Sequence, residues 1–178
     1  MFKFGAKPNK RIEELIGMLP VSGRILDLGC GAGGNSIFLA EKGFNVTCVD
    51  KDDEVISAIK QNYPSINAIN KSILDFDFPE NEYDLVLVLN ILHFLDFENV
   101  KQIISKILKS LKENGLIYIQ AFSVSNPCKK FAHLFTKEDM SELFSQNTIL
   151  ESEEFSTKDN HLPQGEHEHS IIKALIRK

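Results

Sequence analysis

An apolar run that ends in an acid and is followed at once by glycines brings backbone close to a ligand. Residues Ile25-Leu26-Asp27-Leu28-Gly29-Cys30-Gly31-Ala32-Gly33-Gly34-Asn35-Ser36 have this form and open into a helical pattern. Glycine permits positive φ and puts no Cβ between the chain and its ligand. Read literally, Gly29-x-Gly31-x-x-Gly34 also fits the dinucleotide fingerprint, so two cofactor classes compete. A second acid, Asp50, closes the next apolar run, where a carboxylate can accept both hydroxyls of a ribose; the structural alternative is a helix cap. Further along, His93 stands on an apolar segment, as a wall, a general base or a structural histidine. His167 and His169 fall in His161-Leu162-Pro163-Gln164-Gly165-Glu166-His167-Glu168-His169, and two residues apart on an extended chain they share a face.

Asp27 separates the two cofactor classes. A pyrophosphate over the glycine turn prefers the bare positive end of the following helix, and a carboxylate beside it raises the electrostatic cost. A ligand with an ammonium group gains from the same acid. S-adenosylmethionine has an amino-acid end and a sulfonium and no phosphate, so it suits this turn better than a nicotinamide dinucleotide.

The longer run ILDLGCGAGGNSIFLAEKGFNVTCVD resembles motif I and the acidic strand end of the class I, Rossmann-like S-adenosylmethionine-dependent methyltransferases. Its N-S-x-x-L-A-x-x-G-F-x-V-T continuation, and the proline/glycine/histidine segment before the last strand, are similar to the tellurite-resistance (TehB-like) branch that acts on small molecules. The resemblance implies a cofactor held by Asp27, Gly29, Cys30, Gly31, Asn35, Asp50, Lys51, Ser72, Ile73 and Asn90, with S-adenosylhomocysteine as product. Many relatives place an adenine-binding acid after strand three, where this chain has Ser72 beside Ile73; Asp75 is the alternative. The same resemblance passes Leu89 to Leu95 under the methyl group, which makes His93 a candidate catalytic residue; His167 and His169 join it if strand six is parallel to the rest and brings their loop to the cofactor side. The histidine segment has donors for a metal but no established ligand spacing, so no metal is assigned. Rival readings are a nicotinamide-dependent oxidoreductase and a cofactor-binding module without catalysis.

The elements that must position these residues follow from periodicity. A helix over Lys7 to Leu19 precedes a first strand, Arg24 to Leu28. Asn35 or Ser36 can cap the helix after the turn, which runs to Lys42. Strand Asn45 to Val49 leads into a helix near Asp52 to Asn62, and a third strand is expected over Ile66 to Ile73. Tyr83 to Leu89 is apolar without alternation, as a parallel strand buried on both faces should be. Val100, Ile103, Ile104, Ile107, Leu108 and Leu111 form the stripe of a helix ended by Gly115, with lysines opposite and strand Leu116 to Phe122 beyond. A helix near Lys137 to Ser145 and two strands, about Thr148 to Ser156 and Ser170 to Arg177, complete the chain. Alternating strands and helices predict a doubly wound, mostly parallel α/β sheet with helices on both faces. The resemblance supplies seven strands in the order 3-2-1-4-5-7-6, with strand seven antiparallel.

The chain of 178 residues reads as a single domain: residues 1–23 as an N-terminal helix or lid, 24–122 as cofactor core, and 123–178 as substrate side and hairpin. Phe2, Phe4 and Phe122 to Cys128 are candidates for the roof of the pocket. With no long insertion, a small acceptor is expected, such as a thiol or a chalcogen oxyanion. A net charge of −5 argues against a nucleic-acid partner, and no apolar run reaches the roughly 20 residues that cross a bilayer. Three scattered cysteines without a CxxC suit a reduced, cytoplasmic setting.

Overall fold

The computed structural model describes residues 8–161 and 165–178, with the side chains of 159–161 and 165–167 outside that description. Seven strands form one sheet: β1 Arg24–Leu28, β2 Asn45–Asp50, β3 Asn67–Asn70, β4 Tyr83–Leu89, β5 Leu111–Phe122, β6 Thr148–His161 and β7 Gly165–Arg177. Their order is β3-β2-β1-β4-β5-β7-β6, as expected. Pairs from β3 to β5 are parallel, and β7 is antiparallel to both β5 and β6.

Side chains alternate across the central strands and divide the core in two. Ile25, Leu85, Leu87 and Tyr118 pack under α1 Lys10–Leu15, α2 Gly34–Glu41 and α3 Asp53–Asn62. Leu26, Leu28, Val86, Val88, Ile117 and Ile119 pack under α4 Phe97–Ser110 and α5 Lys137–Leu143. Helices therefore cover both faces, and the carboxyl ends of β1, β2 and β4 are left for loops. Among the described residues no helix is long and apolar enough to cross a membrane.

Several boundaries differ from the sequence expectation, each for a local reason. The first helix is shorter, starts after Asn9, and ends in a 3-10 turn over Ile16–Met18. Neither Asn35 nor Ser36 caps α2; the N-cap is Gly33 at φ +76°, and both side chains are engaged elsewhere. β3 stops at Asn70 because Ser72 makes its own turn, its Oγ accepting the Leu74 N–H at 3.3 Å and its carbonyl the Asp75 N–H at 3.0 Å. α4 ends at Ser110, whose Oγ donates to the Ile107 carbonyl, and Asn114 rather than Gly115 takes a left-handed conformation. The last hairpin runs much further than its apolar pattern, with ladder pairs from Thr148↔Arg177 to His161↔Gly165. Apolar alternation stops where the ribbon leaves the core, although backbone pairing continues.

Candidate functional site

Three strand ends build the site. After β1 the turn is tied down onto β2: the Gly29 and Cys30 N–H groups both donate to the Val49 carbonyl, at 2.8 and 3.2 Å. Asp50, the last residue of β2, accepts the Gly31 N–H on Oδ2 at 2.9 Å and the Asp52 N–H on Oδ1 at 3.0 Å. Gly33 donates to the Cys30 carbonyl at 3.0 Å. Four of the turn's amides, those of Gly29, Cys30, Gly31 and Gly33, are thus already committed. Each Asp50 oxygen keeps a lone pair, on a half-buried side chain at the rim of a cavity of about 450 Å³.

That cavity is lined by Gly29, Asp50, Lys51, Ser72, Ile73, Leu74, Ile91, Phe94 and Leu95. Five of the residues expected at the cofactor are therefore brought together. Asp75 is exposed and away from the lining. Gly31, at φ +48°, is exposed, and a Cβ built on it meets no heavy atom within 4 Å. The space over the turn is open to a ligand.

Other expected residues have different surroundings. Asp27 is 1% exposed and accepts the Ser36 hydroxyl at 2.6 Å, so its carboxylate lies beneath the turn and not on the surface of the cavity. Burial raises its pKa to about 6, and the negative charge of Asp50 adds to that rise against the Ser36 hydrogen bond. Cys30 is buried, and a hydrogen bond with Cys48, together with burial, keeps its thiol protonated and unreactive. The Asn35 Oδ1 accepts the Asn9 N–H at 2.9 Å, which fastens the N-terminal segment to α2. Asn90, at φ +57°, is exposed and joins β4 to β5 by donating its N–H to the Gln120 carbonyl at 2.8 Å.

The histidines form an aromatic wall at the ends of β4, β5 and β7. His93 stacks on Phe122 with centroids 4.0 Å apart, and His169 stacks on the same ring at 4.5 Å. Rings this close and nearly parallel would collide on one face, so they take opposite faces of Phe122. His93 Nδ1 accepts the Phe122 N–H at 3.3 Å, which puts its hydrogen on Nε2. Burial, helped by the nearby His169, lowers the His93 pKa to about 4, so it is neutral at pH 7 and a weak base. Asn126 donates its amide to the Cys128 carbonyl, and its Oδ1 faces His169 Nδ1 at 3.3 Å. His169 accordingly carries its hydrogen on Nδ1. His167 pairs with Asp159 in the ladder, but its side chain, like that of His161, lies outside the described residues, as do Phe2 and Phe4. Among the described residues no cluster suits a metal ion.

Sequence reasoning missed Asn9, whose Nδ2 donates to Gln120 Oε1 at 3.0 Å while Gln120 Nε2 donates to the Tyr118 hydroxyl at 2.8 Å. Its signal was a polar Gln120 inside the apolar run Leu116-Ile117-Tyr118-Ile119-Gln120-Ala121-Phe122. Phe94 was also missed as a cavity wall, although it lies within the segment singled out after β4.

These features fit S-adenosylmethionine. Asp50 presents lone pairs to a diol, Ile73, Ile91 and Leu95 offer apolar walls to a ring, and two carboxylates favour a cation over a phosphate.

Comparison with known proteins agrees with this geometry. Residues 25–115 match the methyltransferase-domain family. The putative methyltransferase YqeM of Bacillus subtilis is 35% identical over 113 residues, covering 59% of this chain and 44% of that protein. The probable S-adenosyl-L-methionine-dependent methyltransferase TehB of Haemophilus influenzae is 27% identical over 137 residues, 74% of this chain and 48% of TehB. The chain thus spans about half the length of these curated relatives. The crystal structure of Haemophilus influenzae TehB superposes with a TM-score of 0.84 at 23% identity, over 96% of this chain and 62% of that one. The Burkholderia thailandensis 1,6-didemethyltoxoflavin-N1-methyltransferase, solved with bound 1,6-didemethyltoxoflavin and S-adenosylhomocysteine, gives a TM-score of 0.71 at 20% identity, over 94% of this chain and 75% of that one.

Proposed function

The chain belongs to the class I S-adenosylmethionine-dependent methyltransferase-domain family and is similar to its TehB-like branch; from that premise we propose that it methylates a small-molecule acceptor in the cytoplasm. The observation that carries this reading is Asp50, held by the Gly31 and Asp52 amides at the rim of the cavity with lone pairs to spare. When bound, S-adenosylmethionine supplies a methyl group already activated on a sulfonium.

The protein's own work is then binding, alignment and exclusion of water. Asp50 takes the ribose hydroxyls, and Ser72 and Ile73 face the adenine edge. Gly31 lets the amino-acid end approach the backbone, and Asp27 contributes its field from beneath. Ile91, Phe94 and Leu95 close the apolar side of the cavity. Soft anionic nucleophiles such as a thiolate or a chalcogen oxyanion need no base from the wall. Neutral His93 brings no positive charge there.

Calorimetric titration with S-adenosylhomocysteine tests the cofactor assignment. Asp50→Ala should weaken binding by about 2–4 kcal/mol, the loss expected for hydrogen bonds to a charged group. NAD should give no isotherm with either protein. An unchanged affinity in the variant would overturn the assignment.

A further inference from the structure

The aromatic wall is more than packing. Phe94 is 60% exposed, yet its ring lies 4.4 Å from His93 and 5.7 Å edge-on from Phe131, and it also lines the cofactor cavity. Phe131 in turn stands edge-on to His93 and to Phe122, each with centroids 4.8 Å apart. Four rings drawn from the turn after β4, the end of β5 and the connection after β5 therefore meet in one cluster, and Phe94 joins that cluster to the cavity. Large apolar side chains left half-open at a binding cavity are what a hydrophobic ligand would cover.

His93 supplies one directed group within this surface. It is 1% exposed, its Nδ1 is taken by the Phe122 N–H, and the remaining Nε2–H has no acceptor among the described residues. Among the described residues no cation–π contact joins these rings. Lys51 lines the opposite side of the cavity beside Asp50, and Lys129 on the connection donates to the Val124 carbonyl. An anionic acceptor would find no counter-charge on these rings, and a saturated one would not use their faces.

Resting on the methyltransferase reading, we propose that His93, Phe94, Phe122 and Phe131 form the acceptor subsite, and that it takes an uncharged nucleophile borne on a planar aromatic or heteroaromatic ring, hydrogen-bonded by His93 Nε2–H. A thiol, a hydroxyl or a ring nitrogen on such a plane satisfies the site; as the methyl leaves the sulfonium, which becomes a neutral thioether, a proton borne by the nucleophile passes to solvent, because His93 has its Nδ1 engaged and its Nε2 already protonated. Ring faces fix the plane, and the single donor fixes its rotation.

Fluorescent 2-naphthol is a suitable probe, because the chain has no tryptophan to interfere. With the protein saturated by S-adenosylhomocysteine, 2-naphthol should bind, and its saturated counterpart 2-decalol and selenite should each displace it at least about ten-fold less well than unlabelled naphthol. Phe131→Ala should weaken naphthol about ten-fold while the S-adenosylhomocysteine isotherm stays within about two-fold. His93→Phe keeps the stack and removes the donor; it should weaken 2-naphthol but not naphthalene, and His93→Gln should restore the difference. Equal displacement by decalol or selenite, or naphthol binding indifferent to both variants, would overturn the acceptor subsite. Failure of wild-type protein to bind S-adenosylhomocysteine would instead overturn the methyltransferase reading, so the two failures are distinct.

Discussion

Asp27 and His93 are both buried, and acid acts on them in opposite senses. Asp27 has its pKa raised to about 6 by burial, so the folded chain tolerates its protonated form better than the unfolded chain does. Its contribution is fully favourable below the ordinary value of 3.8 and is lost as pH rises through about 6. His93 has its pKa lowered to about 4, again by burial, so its contribution is present above 6.5 and is lost as pH falls through about 4. The windows overlap, and in the wild type the two trends offset each other. Single variants should expose them. Asp27→Asn keeps an acceptor for Ser36 and removes the charge, so its stability relative to wild type should rise between pH 4 and 6, by on the order of 3 kcal/mol. His93→Phe should gain on wild type in the other direction, as pH falls from 6.5 towards 4. Urea denaturation of the three proteins across pH 4 to 8 measures both differences; a flat Asp27→Asn difference would remove the claim that this carboxyl is strained by burial.

The turn after β1, strand β4 and the acid ending β2 were legible because each has a local signature: clustered glycines, an unbroken apolar run, an acid at a strand end. The Asn9–Asn35 and Asn9–Gln120 bonds were not, since they join residues 26 and 111 positions apart that only the fold brings together. The long hairpin was hidden for another reason. Beyond Ser156 its strands pair in the ladder without an apolar face to announce them. Within the glycine turn, two positions that look alike in sequence have different work. Gly33 caps α2 at φ +76°, and an added Cβ would lie 2.9 Å from Ile59 Cδ1 in the core. Gly31 also has positive φ, but its missing Cβ faces open space. Gly33→Ala should therefore cost stability, about 1–2 kcal/mol for a left-handed alanine plus the shift of Ile59, with cofactor affinity kept in the folded protein. Gly31→Ala should pay the backbone term and also obstruct the ligand, so its S-adenosylhomocysteine affinity should fall further than that of Gly33→Ala. Melting temperature and calorimetry on the pair decide it; equal affinities would mean the ligand does not pass over Gly31.

The sheet divides the molecule into two working halves. β1, β2 and β3 carry the glycine turn, Asp50 and the Ser72 turn, whereas the turn after β4, the end of β5 and β7 carry the rings. Because β7 runs antiparallel to β5, with Phe122 opposite Ile171, residues before Ile171 continue past the end of β5. That direction delivers His169 to the far face of Phe122, on the side of the sheet edge where the cofactor turn also opens. The histidine hairpin should thus be separable from cofactor binding. Replacing both His167 and His169 with glutamine keeps polarity and removes imidazole basicity and the stack on Phe122. S-adenosylhomocysteine affinity should stay within about two-fold, since Gly31 and Asp50 are untouched. Turnover of the true acceptor should fall, through KM if the pair only shapes the aromatic wall and through kcat if a histidine takes the acceptor's proton. In the second case the wild-type rate should rise with pH through about 6.5, the ordinary histidine value, and the variant should lose that limb. A metal role for the hairpin makes a different forecast: chelator would abolish turnover and added zinc would restore it. A double variant with wild-type KM, kcat and pH profile would reduce the ribbon to a solvated extension of the sheet, leaving the wall formed by β4, β5 and the connection after β5 to hold the acceptor alone.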